Sequence, residues 1–314
     1  MYQGKKIAVV IPAYNEQRLI KPTLENVPKL IDKVYVVDDA SSDSTPEVVR
    51  EIAQRDNRIE LIRHKVNQGP GQAIINGYKR SSADGYDIAV VVGGDFQMPL
   101  EQVTNFLDPL IKGNADYVKG NRFMMEGNAF EDMPKIRLIG NTIISLLTKI
   151  SSGCYRIFDV VDGYTAITKT VIDTVNWNQA WKRYGYPMDF LARINAYGFR
   201  IKDVPRRAIY LTGERQTQIK GLKYALKVSP MLIRNFFWRL NKRYIFSDFH
   251  PLVFLYYGGL ILVPAGIAVG IYIIVLKLAG VFPSGATAIF CALLLNIGIQ
   301  SLFFAILFDM MEEK

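Results

Sequence analysis

The chain has 314 residues, half of them apolar, and a net charge of +9, which allows one large domain with an appendage. The charge excess is local: residues 1–150 hold 19 basic and 19 acidic side chains, whereas residues 201–250 hold 11 basic and 3 acidic ones. Two cysteines far apart in sequence, Cys154 and Cys291, exclude a disulfide framework or a cysteine-based metal site.

The first hundred residues alternate apolar strands with helices. The sequence predicts strands over residues 5–11, 33–37, 59–63 and 87–92, and helices over residues 19–30, 41–54 and 72–79. We expect Pro12 to end the first strand. Strands and helices that alternate with short links are typical of an α/β fold with a parallel sheet covered on both faces. Ligands of such sheets bind at the carboxyl ends of the strands, where this chain has acids and glycines.

Beyond residue 110 the pattern is less regular. We expect a strand over residues 116–120 and a helix over residues 136–150, followed by short mixed elements over residues 159–215. Residues 219–243 carry Lys220, Lys223 and Lys227 on one helical face. This spacing predicts an amphipathic segment, broken near Pro230, that lies along a membrane surface.

Two long stretches near the C-terminus lack charge. No charged residue occurs in the 26 positions Pro251–Leu276 or in the 31 positions Leu278–Phe308, and a membrane-spanning helix needs about 20 apolar residues. We predict transmembrane helices over about 251–276 and 284–308. The preceding basic block favours a cytoplasmic location for it and for both termini. Its place next to membrane spans argues against nucleic-acid binding.

Four motifs follow the first strands in order. They are IPAYNE (11–16), VVDDASSDST (36–45), NQGPGQAIINGY (67–78) and GGDFQMP (93–99). Together they resemble the inverting nucleotide-sugar glycosyltransferases of family 2. Later features are similar to the polyprenyl-phosphate branch, which includes dolichyl-phosphate mannose synthase and bacterial polyprenyl-phosphate glucosyltransferases.

The resemblance implies an organisation and an activity. A GT-A type nucleotide-sugar-binding domain with a mostly parallel central sheet would cover residues 1–218. Amphipathic interfacial helices would cover residues 219–248, and two transmembrane helices residues 249–314. The enzyme would move a hexose from a nucleotide-diphosphate sugar, of the GDP-mannose or UDP-glucose type, to dolichyl or undecaprenyl phosphate. The site would face the cytoplasm at the cell membrane or an ER-type membrane.

Residues after the first strands are the expected nucleoside contacts. Pro12 turns the chain, so that the Tyr14 ring can stack on a base and Glu16 can accept hydrogen bonds. The resemblance implies that Asp39 contacts the base or ribose. Gly69 lets the backbone come close to a ligand, since it has no side chain.

The stretch GGDFQMP is the expected metal site. The family usually has Asp-x-Asp followed by glutamine, and the matching positions here are Gly93, Asp95 and Gln97. Residues two apart in an extended segment face the same side, so Asp95 and Gln97 could both bind Mg²⁺ or Mn²⁺, which prefer oxygen ligands. Glycine in place of the first acid would weaken metal affinity or make room for a different donor sugar.

Basic residues are the expected contacts of the two phosphate groups. GNRF and MPKIRLIGN resemble family elements that place Arg122, Arg137 and Asn141 at the acceptor phosphate. Arginine suits a phosphate because it donates two bonds at once, and residues i and i+4 share a helical face, so that Arg137 and Asn141 can reach one anion. On the donor side the resemblance implies four further residues: Asp162, Asp189, Arg215 and Lys220.

A lipid phosphate needs no general base, because its second pKa is about 6 and it is already a nucleophile at neutral pH. We therefore expect in-line attack with inversion, and no role for His64 or His250.

Two alternatives stay open: a processive polysaccharide synthase, although its Gln-x-x-Arg-Trp element is absent, and a membrane-tethered non-catalytic nucleotide-sugar-binding subunit, because of Gly93. No GxGxxG follows the first strand, which excludes a dehydrogenase. Gly266 and Gly270 fit a helix-association pattern and hint at a homo-oligomer.

Overall fold

The structure, a computed structural model, describes residues 1–124, 135–209, 221–247 and 249–313. The strands are β1 (Ile7–Ala13), β2 (Lys33–Asp38), β3 (Ile59–Arg63), β4 (Ile88–Val91), β5 (Tyr117–Asn121), β6 (Thr165–Thr168) and β7 (Ile201–Pro205). The α-helices are α1 (Ile20–Glu25), α2 (Thr45–Ala53), α3 (Pro70–Ala83), α4 (Val103–Ile111), α5 (Lys135–Ser152), α6 (Lys169–Thr174), α7 (Tyr186–Ala196), α8 (Gly221–Asn241), α9 (Leu252–Leu278) and α10 (Gly285–Met311).

The strands form one seven-stranded sheet in the order β3-β2-β1-β4-β6-β5-β7. Strands β1 to β4 run parallel to their neighbours within that group, as does β7 beside β5, while β6 is antiparallel to β4 and β5. The predicted α/β class with a mostly parallel sheet is confirmed. The order also sets the carboxyl ends of β2, β1 and β4 side by side at one edge of the sheet.

Both faces of the sheet are buried at β1 and β4, which explains why these two strands are apolar throughout. Val9 and Ile11 of β1 lie in a cluster with Phe106 of α4. Val10 points to the opposite face and lies in a cluster with Ile74 of α3. Alternate residues of one strand thus contribute to two separate cores, and the sheet is held as a rigid platform for the loops at its edge.

Two predictions about prolines are wrong. Strand β1 continues through Pro12, because its pairing with β4 ends at Val10 and a strand end tolerates a missing N–H. Helix α8 runs unbroken past Pro230. Val228 and Met231, on either side of this proline, are both buried in the core. Their packing holds the helix together although proline removes one backbone hydrogen bond.

The chain divides into two compact units, residues 1–237 and 238–313; the predicted domain boundary after residue 218 lies outside the described residues. In the second unit, α9 and α10 each have 27 residues and are long and apolar enough to cross a membrane. They extend the predicted spans by a few residues and pack against each other as a hairpin.

Small residues bring the two hairpin helices close together. A Cβ atom on Gly266 would lie 2.8 Å from the Leu295 side chain, and one on Gly298 would lie 2.9 Å from the backbone nitrogen of Val263. The Gly266–Gly270 pattern, which hinted at association between chains, is therefore used within the hairpin at Gly266.

The second unit also holds a buried ion pair that the sequence did not predict. The Arg239 guanidinium donates to both carboxylate oxygens of Asp309 at 2.8 and 2.7 Å. The hydroxyls of Tyr244 and Tyr256 donate to the same carboxylate at 2.7 and 3.1 Å. Each oxygen thus accepts two bonds, which offsets the cost of burying the charge. The pair connects the end of α8 to the end of α10.

Candidate functional site

Four of the predicted donor residues lie at the carboxyl ends of three neighbouring strands. Tyr14 and Glu16 follow β1, Asp39 follows β2 and Asp95 follows β4. Burial raises the pKa of the Tyr184 phenol, and the negative charges of the three acids just named raise it further. The strand order sets these acids at one edge of the sheet, and the half-exposed Tyr184 ring lies within the range of their charges.

The loop after β4 is a turn around Asp95, in which Phe96 has a φ of +56°. The expectation of an extended segment, and with it the argument that Asp95 and Gln97 face the same side, is wrong. Oδ1 of Asp95 accepts from the Gln97 N–H at 3.3 Å. A Cβ atom on Gly93 would lie only 2.8 Å from that oxygen. The Asp95 carboxylate therefore lies where an acid at position 93 would need space. Burial raises its pKa, against the opposing effect of the Gln97 N–H.

A buried arginine that the sequence analysis missed lies next to this loop. Arg206, which follows β7, donates to the two Asp162 oxygens at 2.7 and 3.1 Å and to the Gln97 carbonyl at 3.2 Å. Burial alone would raise the pKa of Asp162, but the charge and hydrogen bond of Arg206, with the charges of Arg122 and Lys119, lower it. The predicted donor residue Asp162 is thus an ionised carboxylate connected through Arg206 to the Asp95 loop.

Two more cations surround Asp162. Lys119 of β5 is fully buried, and its ammonium donates to the Asp162 carbonyl; burial lowers the pKa of Lys119, while nearby acids oppose that shift. Arg122 forms a bidentate pair with Asp159 at 2.7 and 2.9 Å. A phosphate bound by Arg122 would therefore meet a guanidinium whose position is already fixed by a carboxylate.

Asp39 is buried and has partners on both oxygens. Oδ1 lies 2.7 Å from Nδ1 of His64 and accepts from the Gln68 N–H at 2.8 Å, and Oδ2 accepts from the Gly69 N–H at 2.7 Å. His64, which the sequence analysis placed in no site motif, therefore contacts the predicted base-binding residue Asp39. The neighbouring Asp38 is buried and accepts from the backbone N–H of Ser41, which indicates a structural role.

The space beside Gly69 is filled by the chain itself. A Cβ atom on Gly69 would lie 2.5 Å from the carbonyl oxygen of Lys182, and the same oxygen accepts from the Gly71 N–H at 2.9 Å. Arg183 donates to Asn67 at 2.6 Å. The predicted close approach at Gly69 is thus made by residues 181–186, the segment that carries Tyr184, rather than by a ligand.

Asp189, a predicted donor contact, lies in the protein interior. It is fully buried; Oδ2 accepts from the Trp181 N–H at 2.9 Å and from Arg193 at 2.7 Å, and Oδ1 accepts from Asn235 at 2.9 Å. A donor contact would break these bonds. In this structure Asp189 instead anchors the first residue of the 181–186 segment.

The remaining predicted residues cannot be placed at the level of side chains. Arg137 and Asn141 lie one turn apart on α5, as expected. The structure describes their backbone but not their side chains. Arg215 and Lys220 lie outside the described residues. Their roles stay predictions.

Residues 8–175, more than half of the chain, match the family model described as glycosyl transferase family 2. The chain belongs to glycosyl transferase family 2. Among its relatives, the UDP-N-acetylglucosamine–dolichyl-phosphate N-acetylglucosaminyltransferase of Methanococcus voltae is 29% identical over 219 residues, which cover 66% of this chain and 86% of the relative. The undecaprenyl-phosphate mannosyltransferase of Micrococcus luteus is 28% identical over 203 residues, which cover 64% of this chain and 82% of the relative.

A solved structure shares the fold of this family 2 chain. Glucosyl-3-phosphoglycerate synthase from Mycobacterium tuberculosis, in complex with Mn²⁺, UDP and glucosyl-3-phosphoglycerate, superposes with a TM-score of 0.53 at 19% identity and covers 75% of this chain and 80% of its own. At this identity the likeness shows the fold, and it agrees with the GT-A class that the resemblance implied.

The donor set of this family 2 site fits a divalent cation only together with a substrate. Within the described parts of the chain there is no group of three histidine, cysteine or acidic side chains that could hold a metal ion. The loop offers one carboxylate, Asp95, and the amide of Gln97. Hard cations need six or more oxygens, so the other ligands would have to come from a diphosphate and water.

Proposed function

We propose that this family 2 chain transfers a hexose from a nucleoside diphosphate sugar to a polyprenyl phosphate at a membrane. The observation that carries the proposal is the convergence of Glu16, Asp39 and Asp95 at one sheet edge, in a chain that also has two apolar helices of 27 residues. Relatives whose names specify dolichyl or undecaprenyl phosphate as substrate support the same acceptor class.

The donor binds across the ends of β1, β2 and β4 in this proposal. Tyr14 is exposed and offers its ring face to the base, while Glu16 and Asp39 accept from base or ribose groups. Asp95 would hold Mg²⁺ or Mn²⁺ together with the diphosphate, and a contact from the Gln97 amide stays a prediction. Such a cation, when bound, offsets the negative charge that develops on the departing nucleoside diphosphate.

The sugar and the acceptor meet near Asp162. Its carboxylate accepts from a donor-sugar hydroxyl, and Arg206 keeps it ionised and correctly oriented. Arg122, held by Asp159, would position the lipid phosphate. Four further residues would complete the phosphate contacts: Arg137 and Asn141 at the acceptor, and Arg215 and Lys220 at the donor diphosphate.

The reaction is a single displacement with inversion. A phosphate monoester oxygen is ionised at neutral pH, since its second pKa is about 6, and it attacks the anomeric carbon directly. No side chain has to remove a proton from it. The basic residues before α9 favour a cytoplasmic site and cytoplasmic termini.

A donor panel tests this function. Purified full-length protein in detergent is given GDP-mannose, UDP-glucose or UDP-N-acetylglucosamine, each with dolichyl or undecaprenyl phosphate and with Mn²⁺ or EDTA. We expect one donor to yield a glycolipid in the organic phase, and EDTA to suppress it. Nucleotide binding with no glycolipid from any pair would favour the non-catalytic subunit instead.

A further inference from the structure

A chain of hydrogen bonds runs from Asp39 through His64 to helix α3, and the proposed mechanism does not use it. His64 follows β3 and is buried. Its Nδ1 lies 2.7 Å from Oδ1 of Asp39, and its Nε2 lies 2.8 Å from Nδ2 of Asn76 on α3. Oδ1 of Asn76 in turn accepts from Gln72 at 2.8 Å. Four side chains from three elements are thus connected in series.

The series fixes the direction of each bond. Because Gln72 donates to the Asn76 oxygen, the Asn76 amide nitrogen donates to Nε2 of His64. Nε2 is then the acceptor of the ring, and Nδ1 carries the hydrogen that is donated to Asp39. His64 therefore holds Asp39 by a directed bond to a carboxylate, the stronger class of hydrogen bond.

The bonds to Asp39 limit what else it can accept. A carboxylate accepts about four hydrogen bonds, two on each oxygen. Oδ1 already has two donors, His64 and Gln68, and Oδ2 has one, Gly69. One acceptor direction remains, on Oδ2. Guanine presents two adjacent N–H donors that bind both oxygens of a carboxylate, whereas uracil presents a single ring N–H.

We propose that His64 is a positioning residue that leaves Asp39 with one acceptor for a base N–H, so that this site takes uridine diphosphate sugars in preference to guanosine diphosphate sugars. The inference rests on the proposed function in one respect, that Asp39 contacts the base of the nucleotide donor.

Calorimetry with UDP and with GDP tests the preference directly. Each nucleotide is titrated with Mn²⁺ into the full-length protein in detergent, without lipid. We expect UDP to bind at least about tenfold more tightly, the factor that corresponds to one hydrogen bond to a charged group. Equal affinities, or tighter binding of GDP, would overturn the inference.

Variants of His64 separate positioning from general structure. His64→Asn keeps an N–H donor near the Nδ1 position and should retain the UDP preference. His64→Leu removes the donor and releases the second acceptor direction of Oδ1, so the ratio of UDP to GDP affinity should fall by about tenfold. A purely structural defect would weaken both nucleotides alike. An unchanged ratio in His64→Leu would contradict the proposal.

A second variant guards against a folding failure of His64→Leu. Asn76→Ala leaves His64 in place but removes the donor to its Nε2, and it should shift the UDP to GDP ratio in the same direction by a smaller factor. A wild-type ratio in this variant would count against the hydrogen-bonded series.

The binding readout is independent of transfer. UDP preference without transfer to any polyprenyl phosphate would sink the proposed function and leave this inference intact. Efficient transfer from GDP-mannose together with tighter GDP binding would contradict this inference and leave the proposed function intact.

Discussion

Replacement of Arg206 by methionine tests whether this buried arginine connects Asp162 to the Asp95 loop. The variant loses two bonds to Asp162 and one to the Gln97 carbonyl. Asp162 would keep the Tyr164 N–H, at 3.0 Å, and the positive charges of two neighbouring basic residues. It would remain buried, but without its closest counter-charge.

The contacts of Arg206 determine how much free energy of unfolding the substitution loses. Breaking a buried ion pair by removing one partner costs about 3–5 kcal/mol, and the cations that remain near Asp162 place this case at the lower end. A domain of this size loses about 2–4 °C of melting temperature per kcal/mol. We therefore expect Arg206→Met to melt about 6–12 °C below the wild type.

The pH dependence has a definite sign. In the wild type the pKa of Asp162 is lowered. The pair therefore contributes its full stability at pH values above the pKa of an unfolded aspartate, about 3.9, and that stability is lost as the pH falls through the folded pKa. Without Arg206, burial dominates and the pKa of Asp162 rises, so ionisation costs stability as the pH rises. The difference in melting temperature between variant and wild type should be smaller at pH 5 than at pH 7.

The adjacent arginine provides the control. Arg207 is 62% exposed and pairs with an exposed glutamate, Glu101; such surface pairs contribute about 0–1 kcal/mol. Thermal unfolding of Arg206→Met, Arg207→Met and the wild type is compared at one scan rate in one detergent. If Arg206→Met melts together with Arg207→Met, the assigned role of Arg206 is wrong. The double variant Arg206→Met/Asp162→Asn should recover part of the loss, because an amide is cheaper to bury than a charge.

Three further variants give distinct outcomes. Asp95→Asn should lower transfer by at least about a hundredfold. It should not lower the melting temperature of the metal-free protein, because the pKa of Asp95 is raised in the wild type and ionisation of this carboxyl group therefore costs stability as the pH rises. Gly93→Asp should not raise Mn²⁺ affinity in calorimetry with UDP, since the new Cβ would lie 2.8 Å from the Asp95 carboxylate. Arg239→Leu should destabilise the chain in a thermal scan, and the double variant Arg239→Leu/Asp309→Leu should recover much of that stability.

The elements that carry continuous apolar runs could be predicted from sequence. Strand β4, Ile88–Val91, lies within the predicted residues 87–92, and α9 and α10 cover all but the first residue of the predicted spans 251–276 and 284–308. Buried parallel strands and membrane helices both need unbroken apolar stretches, so a local pattern reports them directly. The acids at the strand ends could also be predicted to lie near one another, because the topology of a parallel sheet places those ends together.

Pairings between distant residues could not be predicted. Arg206 and Asp162 are 44 positions apart, and a pair of arginines after a strand looks like surface charge until the fold brings an acid beside one of them. His64 and Asp39 are 25 positions apart. Gly69 correctly indicated a close backbone approach, but the sequence did not show that the approaching group is the Lys182 carbonyl.

The central claim is that a lipid phosphate attacks the anomeric carbon of a nucleotide sugar bound at Asp95. The most direct test incubates the purified full-length protein with the preferred donor and undecaprenyl phosphate, and determines the anomeric configuration of the lipid-linked sugar by NMR, alongside Asp95→Asn. Our account predicts inversion relative to the donor, and at least about a hundredfold less product from the variant. Retention of configuration, or an equal yield from Asp95→Asn, would contradict it.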